Sequence, residues 1–214
     1  MPHGAVALAA VLCAGAPAGA SVSVVNLSWQ FYQGGMAQQD AENVVVLQDM
    51  YSNVAHNEVS QTLGGATFTS IASISSTTLH GSQAMVFSSI ASLAASAQTP
   101  AVLPDGMAEA FAGLSAYDVT FEVVETPHLY LGAQVLHGKD NAFPGGSVLQ
   151  PGLYSFLYLN TFGLDAHAVA APGQDLSDES AWSFRFEFQP VPAPAAVPVL
   201  ALGAYAATRR RRPR

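Results

Sequence analysis

Apolar and polar residues alternate one by one in two segments of the second half of the chain, and this alternation limits the fold most strongly. Between Ala116 and Glu125, apolar residues stand at 117, 119, 121 and 123 with polar residues between them. Ala181 to Phe188 repeats the pattern with Trp182 and three phenylalanines. Because successive side chains of a β-strand point to opposite faces of a sheet, each segment predicts a strand with one buried face.

Further strands, bounded by Gly and Pro turns, fill most of the rest of the chain. They are predicted at 22–31, 43–51, 67–79, 128–137 and 149–162. Gly34-Gly35 is expected to close the first strand, Gly64-Gly65 predicts a hairpin turn, and Val44 to Leu47 predicts a strand buried on both faces. Residues 81–97 fit either a helical stripe or two short strands. The Ser and Thr residues of 67–79 predict a strand with a hydroxylated outer face.

Strands at such short spacing are typical of antiparallel all-β folds. Long helices do not alternate with them, so a parallel α/β fold is disfavoured. We therefore expect an antiparallel β-sandwich or jelly-roll-like domain over residues 21–190.

The charges of the chain are distributed very unevenly. The formal net charge is −8, and five of the 7 basic residues lie within the last six positions. The rest of the chain keeps only Lys139 and Arg185 against 15 acidic residues. Such an acidic body repels phosphate backbones, which argues against nucleic acid as a partner. Cys13 is the only cysteine, so no disulfide framework is expected in the domain.

The N-terminus has the pattern of a secretory signal peptide. Ala5 to Ala16 form an apolar run that is too short to span a bilayer, and Ala18-Gly19-Ala20 follows as a small-x-small cleavage site. Residues 1–20 are therefore predicted to be a signal peptide that hands the chain to the export machinery.

The C-terminus has three parts in a fixed order. Val191-Pro192-Ala193-Pro194 interrupts regular structure because proline lacks a backbone donor. An apolar stretch runs from Ala195 to Ala207, and a basic cluster ends the chain with Arg209, Arg210, Arg211, Arg212, Pro213 and Arg214. An apolar helix would partition into lipid while the arginines stay in the cytoplasm. Residues 191–214 thus predict a membrane-retained tail.

This tail resembles the sorting segment of the PEP-CTERM family, in which a Val-Pro-Glu-Pro-like motif precedes an apolar helix and an Arg-rich end. Val191, Pro192 and Pro194 match the motif, Ala193 stands at the position of the Glu, and Arg209 to Arg212 match the basic end. The segments 149–156 and 182–188 also look like strands found in many members of the family.

The resemblance implies a protein of a Gram-negative bacterium that an exosortase-like enzyme cleaves near the Pro motif. It further implies a transient association with the inner membrane, followed by release or transfer to the cell surface or the extracellular matrix. Exopolysaccharide of a biofilm is the partner that the family resemblance suggests for the domain, in a non-enzymatic role.

The clearest candidate metal ligands are three carboxylates just before the last predicted strand. Asp175, Asp178 and Glu179 are expected in a short turn, and calcium prefers several oxygen ligands from such flexible segments. The simpler alternative is a solvated acidic turn with no ion. The six histidines form no close pair of the kind that zinc sites use, but His128 and His137 flank one predicted strand and are the best pair for a zinc site assembled in space. No cofactor is expected, and the sequence does not determine whether another metal binds.

Two further functions remain open beside the non-enzymatic one. A carbohydrate-binding module would use exposed aromatic side chains, although burial in the core explains each candidate as well. The candidates are Trp29, Tyr32, Tyr130, Tyr158 and Trp182.

A secreted hydrolase would need two close carboxylates, for which the candidates are Glu122, Glu125 and Glu187. These glutamates also fit the solvated face of a sheet. The chain has neither a Gly-x-Ser-x-Gly elbow nor a phosphate-binding glycine loop, and no catalytic residue is predicted.

Overall fold

The computed structural model describes residues 22–81, 84–125, 127–136, 145–160 and 164–191. These residues form β-strands and no helix. In chain order the strands are β1 Val22–Gln38, β2 Val44–Ser52, β3 His56–Leu63, β4 Ala66–His80, β5 Met85–Thr99, β6 Met107–Val123, β7 His128–Leu136, β8 Ser147–Leu149, β9 Gly152–Leu159, β10 Ala166–Ala170 and β11 Gln174–Pro190. The predicted all-β class is confirmed. The predicted signal peptide at 1–20 and the sorting helix lie outside the described residues.

The strands form two antiparallel sheets. The first sheet has the order β10-β6-β1-β2, and β9 pairs with the second half of β6 beyond β10. The second sheet has the order β3-β4-β5-β11-β7-β8. The antiparallel arrangement expected from the sequence is thus present in both sheets.

Strict alternation of burial defines the inner face of the second sheet. In β5 every second residue from Met85 to Thr99 is buried, and β4 shows the same period from Ala66 to Ile74. A helix would bury residues three or four apart instead. The segment predicted as a helical stripe or two short strands is therefore one continuous strand.

Aromatic rings fill the space between the two sheets. Tyr117 of β6 stacks on Phe184 of β11 with 4.0 Å between ring centroids. Phe121 of β6 lies 5.0 Å from Phe186, which also contacts Phe156 of β9 at 5.1 Å. Phe184 and Phe186 share one face of the last strand with Trp182 and Phe188. This face was predicted to be apolar, and it is buried as expected.

Buried polar side chains tie the two sheets together. The Ser70 hydroxyl of β4 donates to the Phe111 carbonyl of β6 at 2.6 Å, and the Gln33 amide of β1 donates to the Ser70 carbonyl at 3.2 Å. At the other end, the Thr99 hydroxyl donates to the Ala170 carbonyl at 2.9 Å. Because a buried polar group is costly without a partner, these bonds fix how the sheets are aligned.

Hydroxyl pairs line part of the outer face of the second sheet, as the composition of 67–79 predicted. Ser60 and Thr69 lie directly opposite each other with 2.9 Å between their oxygens, and Thr62 and Thr67 repeat this pair one rung further. This outer face is polar without being charged at these rungs.

Three further predictions differ from the structure: two strand boundaries and the burial of one strand. β1 does not end at Gly34-Gly35 but continues to Gln38. Gly35 stands inside the strand because Phe68 of the opposite sheet occupies the space that a side chain would need. β2 is not buried on both faces: it is an edge strand with exposed residues on both. β11 begins at Gln174, so the acidic segment before Ala181 is strand and not turn.

Candidate functional site

Two aromatic side chains lie on the outer face of the first sheet, each opposite a glycine of the neighbouring strand. The register of β1 and β6 places Tyr32 opposite Gly113 and Phe111 opposite Gly34. A Cβ atom on Gly34 would stand only 2.9 Å from Phe111 Cζ, so the ring covers this glycine. Glycines permit such close approach because they carry no side chain. The Phe111 ring therefore packs directly against the backbone of β1 at this point.

The two rings also contact each other. The centroids of Tyr32 and Phe111 are 5.1 Å apart, and their planes differ by 23°. Both side chains are half-buried. We call this stacked pair the aromatic platform.

A carboxylate and an imidazole border the aromatic platform on the β10 side. His167 is opposite Phe111 in the register, and its Nε2 lies 2.8 Å from Glu109 Oε1. The backbone N–H of His167 donates to Asp178 Oδ2 of β11 at 2.9 Å. The side chains of His167 and Glu109 are about one third exposed, at 39% and 32%, so both can reach a ligand on the platform.

Apolar and amide side chains border the platform on the opposite side. Met50 and Val46 of β2 share this outer face and are 56% and 60% exposed. Gln48 lies between them, opposite Gly34. The face thus combines aromatic rings, a carboxylate–imidazole pair and an amide, which together can stack on the C–H face of a sugar ring and bond its hydroxyls.

The structure separates the predicted sugar-stacking residues. Tyr130 and Trp182 are core residues with 0% and 4% exposure. Trp29 donates its indole N–H to the Val54 carbonyl, and Tyr158 packs on Trp182 at 4.8 Å. Of the five candidates, Tyr32 belongs to the platform.

Phe111 was not predicted as part of any site. Its sequence position gives no signal, because it lies in a stretch of alanines and glycine where either face could be buried. Only the register, which sets it opposite Gly34, identifies it as an outward ring.

The predicted hydrolase carboxylates are not paired across a cleft. Glu122 alternates with buried residues of β6 and Glu187 with buried residues of β11, so they lie on the outer faces of different sheets. Stacked sheets are about 10 Å apart and outward side chains point away from each other. Glu187 is instead 3.5 Å from Arg185, and Glu125 follows β6 with a φ of 62°.

The predicted calcium ligands lie along an extended strand. Asp175 and Glu179 are on one face of β11 and Asp178 is on the other, and Asp178 accepts from the His167 N–H. The expectation of a short turn is therefore wrong. Within the described ranges no three His, Cys, Asp or Glu side chains are grouped as metal ligands, and the calcium site stays a prediction.

Of the predicted sorting residues, the structure describes Val191 alone. Its N–H donates to the Pro127 carbonyl at 3.0 Å, which fixes the end of the last strand to the start of β7. Pro192, Pro194 and the arginines from 209 to 212 lie outside the described residues. Where the chain is described, no helix has the length and hydropathy that crossing a membrane requires.

The shifted tyrosine pKa values belong to the core and not to the platform. Burial raises the pKa of Tyr130 to about 12. Burial, and then the negative charge of Asp165, raise the pKa of Tyr158 to about 12. Burial also raises the pKa of Tyr117, although its hydrogen bond to Ser89 acts against this. These shifts follow from packing and point to no acid–base chemistry.

Comparison with known proteins gives no relative for this chain. No family model matches it, and neither a curated protein nor a solved structure does. The residues and their geometry are therefore the basis for a functional proposal.

Proposed function

We propose that this protein is an exported, non-enzymatic component of the cell surface or extracellular matrix of a Gram-negative bacterium, sorted through its C-terminal tail. The observation that carries the proposal is the position of the Pro motif relative to the folded domain. β11 ends at Pro190, and the bond from Val191 to Pro127 closes the described domain where the motif begins. A cut near Pro194 would therefore release the domain without breaking a strand.

In this proposal the two sheets form a β-sandwich over residues 21–190. Supporting this, the inner faces of both sheets contribute to one continuous hydrophobic core. The signal peptide at 1–20 brings the chain to the export machinery, and the tail at 191–214 holds it briefly in the inner membrane until an exosortase-like enzyme acts.

Intact mass and cell fractionation of the native protein test the sorting proposal. We expect a product that begins near Ser21, ends near Pro194 and is found outside the inner membrane. Replacing Pro192 and Pro194 with alanine should leave an uncut, membrane-bound chain, whereas replacing Pro151, in the turn before β9, should not affect processing. An uncut wild-type chain in the cytosol would contradict the proposal.

A second candidate function, binding of exopolysaccharide, is favoured by the aromatic platform. Tyr32 and Phe111 form a half-buried stacked pair on the outer face, and the Glu109–His167 pair stands beside it. Stacking on aromatic rings together with bonds from a few polar groups is how concave or flat sites hold sugars. In the described part of the second sheet, the Phe, Tyr and Trp side chains are buried in the core.

Binding to a polysaccharide array tests this second function. We expect Tyr32→Ala to weaken binding about tenfold, a loss equivalent to one aromatic contact of about 1.4 kcal/mol, and Tyr32→Phe to retain most of it. Tyr51→Ala is the matched control, because Tyr51 is also half-buried but belongs to the opposite face of β2. Equal losses from Tyr32→Ala and Tyr51→Ala would argue against the platform as the binding site.

A further inference from the structure

The free edge of β2 is long and apolar. β2 pairs with β1 on one side, and among the described residues no strand pairs with its other side. Its 9 residues contain no Lys, Arg, Pro or Gly. Val44, Val46, Leu47 and Met50 are between 39% and 60% exposed. Proteins normally protect such edges with basic residues, prolines or bulges, because an open edge is a template for another strand.

The hydrogen bonds at the two ends of the β1–β2 hairpin show which backbone groups are free. The Asn53 N–H donates to the Trp29 carbonyl at 2.9 Å, and the Gln39 N–H donates to the Asn43 carbonyl at 3.0 Å. Both pairs continue the register of the ladder. Since bonded pairs alternate in an antiparallel ladder, the odd-numbered residues of β2 bond to β1. The even-numbered residues, from Val44 to Ser52, direct their N–H and C=O groups outward.

We propose that a second copy of this chain pairs with that edge, β2 against β2 in antiparallel orientation, with the two-fold axis at Gln48. Gln48 is the central even-numbered residue of the strand, so this register uses the largest number of outward groups. Two copies of one strand satisfy each other in this way because a two-fold contact is self-complementary. The first sheets of both copies then form one continuous sheet.

The side chains fit this register. On the outer face, Val46 of one copy stands opposite Met50 of the other. On the inner face, Val45 stands opposite Tyr51, a pairing of a β-branched and an aromatic residue that stabilises antiparallel strands. The only charge of β2, on Asp49, stands opposite Leu47 and not opposite its own copy. The register thus avoids a direct contact between like charges.

Two features of the hairpin control this edge. Asp40 accepts bonds from the N–H groups of Glu42 and Asn43 and from the Asn43 side chain, at 2.9 to 3.0 Å, which holds the turn before β2 rigid. Asp49 Oδ1 accepts from the Met50 N–H at 2.7 Å. Because Met50 is one of the outward residues, the Asp49 carboxylate competes with a second copy for this donor and keeps the association reversible.

The mass of the full chain in mild detergent, measured by sedimentation equilibrium over a range of concentrations, tests the proposal. We expect a monomer–dimer equilibrium whose dissociation constant rises about tenfold or more in Val46→Lys. Asp49→Ala should lower the dissociation constant, because it frees the Met50 N–H and removes a charge.

Ile90→Lys is the matched control, because Ile90 is 49% exposed on β5, between β4 and β11 and away from any edge. It should leave the dissociation constant unchanged. A wild-type chain that stays monomeric at all concentrations overturns the proposal, and this result is also expected if another segment of the same chain covers β2. Equal effects of Val46→Lys and Ile90→Lys overturn it as well.

Cross-linking tests the register. In a Cys13→Ser background, Gln48→Cys should give a high yield of dimer with a short thiol cross-linker, since the Cα atoms of a bonded antiparallel pair are about 5.5 Å apart. Gln98→Cys, an exposed position on β5, should give little. Similar yields at both positions would exclude the register. Neither experiment depends on tail processing or sugar binding, so the proposed function can fail while this inference holds.

Discussion

At the residue scale, a few buried hydroxyl and amide groups decide how the two sheets meet. Hydrogen bonds that cross the core or reach the opposite sheet are made by the hydroxyl groups of Tyr117, Ser89, Ser70 and Thr99. Apolar contacts alone would allow the sheets to slide, because they have no direction. The hydrogen bonds select one alignment.

The Tyr117 hydroxyl provides a direct test of this role. It donates to Ser89 Oγ at 2.7 Å, and both side chains are fully buried. Tyr117→Phe should lower the free energy of unfolding by about 1 to 2 kcal/mol, because the buried Ser89 loses a partner. Thr120→Val removes a similar bond to Ser155 on the exposed face and should cost less than about 0.5 kcal/mol. Denaturant unfolding of both variants compares them, and equal losses would contradict the role of the buried bond.

The buried tyrosines predict a loss of stability at alkaline pH. The pKa values of Tyr130 and Tyr158 are raised from 10.0 to about 12 in the folded protein. Between these values the unfolded chain has released its phenolic protons while the folded chain keeps them, so stability falls as the pH rises from 10 to 12. Denaturant unfolding across this window should show the decline, and Tyr130→Phe should make it less steep. A flat profile would show that these phenols titrate normally.

At the element scale, the sequence predicts strands well wherever one face is buried. The alternation around Tyr117 and Trp182 identifies parts of β6 and β11 correctly, and Gly64-Gly65 forms the predicted turn with φ values of 60° and 99°. The sequence alone misjudges the burial of β2, because a run of valines is equally typical of a buried strand and of an apolar edge. Only the pairing of strands distinguishes these two cases.

The aromatic platform gives a prediction about β1. Gly34→Ala should destabilise the protein by about 1 to 3 kcal/mol, because the added methyl meets Phe111 and the Leu47 carbonyl and forces the strands apart. It should also weaken the Tyr32–Phe111 contact, visible as a change in near-ultraviolet circular dichroism. Gly81→Ala, where the described atoms nearest to an added Cβ belong to the Ala84 backbone, should have a smaller effect on stability and leave the spectrum unchanged. The reverse order of effects would contradict the packing described for Gly34.

At the scale of the whole molecule, the class of fold could be predicted from the sequence and the candidate site could not. Period-two alternation determines local structure, which is why the all-β class is correct. The platform depends on which strands are neighbours and on their register, as shown by Phe111 meeting Gly34 across two distant segments. Tyr32 could be named as an aromatic candidate, but its partner and its polar border required the topology.

The aromatic core predicts a large effect of truncation at its centre. Phe186 is 1% exposed and contacts Phe121, Phe156 and Phe87. Phe186→Ala should lower the free energy of unfolding by about 3 to 5 kcal/mol, because a cavity remains between the sheets. Leu153→Ala, at a position 66% exposed, should change it by less than about 0.5 kcal/mol. Thermal or denaturant unfolding measures both, and a small effect at Phe186 would mean that the two sheets do not share one core.

The scarcity of basic residues in the body of the chain limits where trypsin-like proteases can cut it. Trypsin-like proteases cut after Lys or Arg and must draw the substrate into an extended conformation at their cleft. Before the terminal cluster the chain offers only Lys139 and Arg185. Arg185 is held in β11 by ladders to β5 on one side and β7 on the other, so its peptide bond is inaccessible without unfolding. With two such positions in its body, one of them inside a sheet, the chain offers trypsin-like enzymes fewer cleavage points than a protein of average charged content.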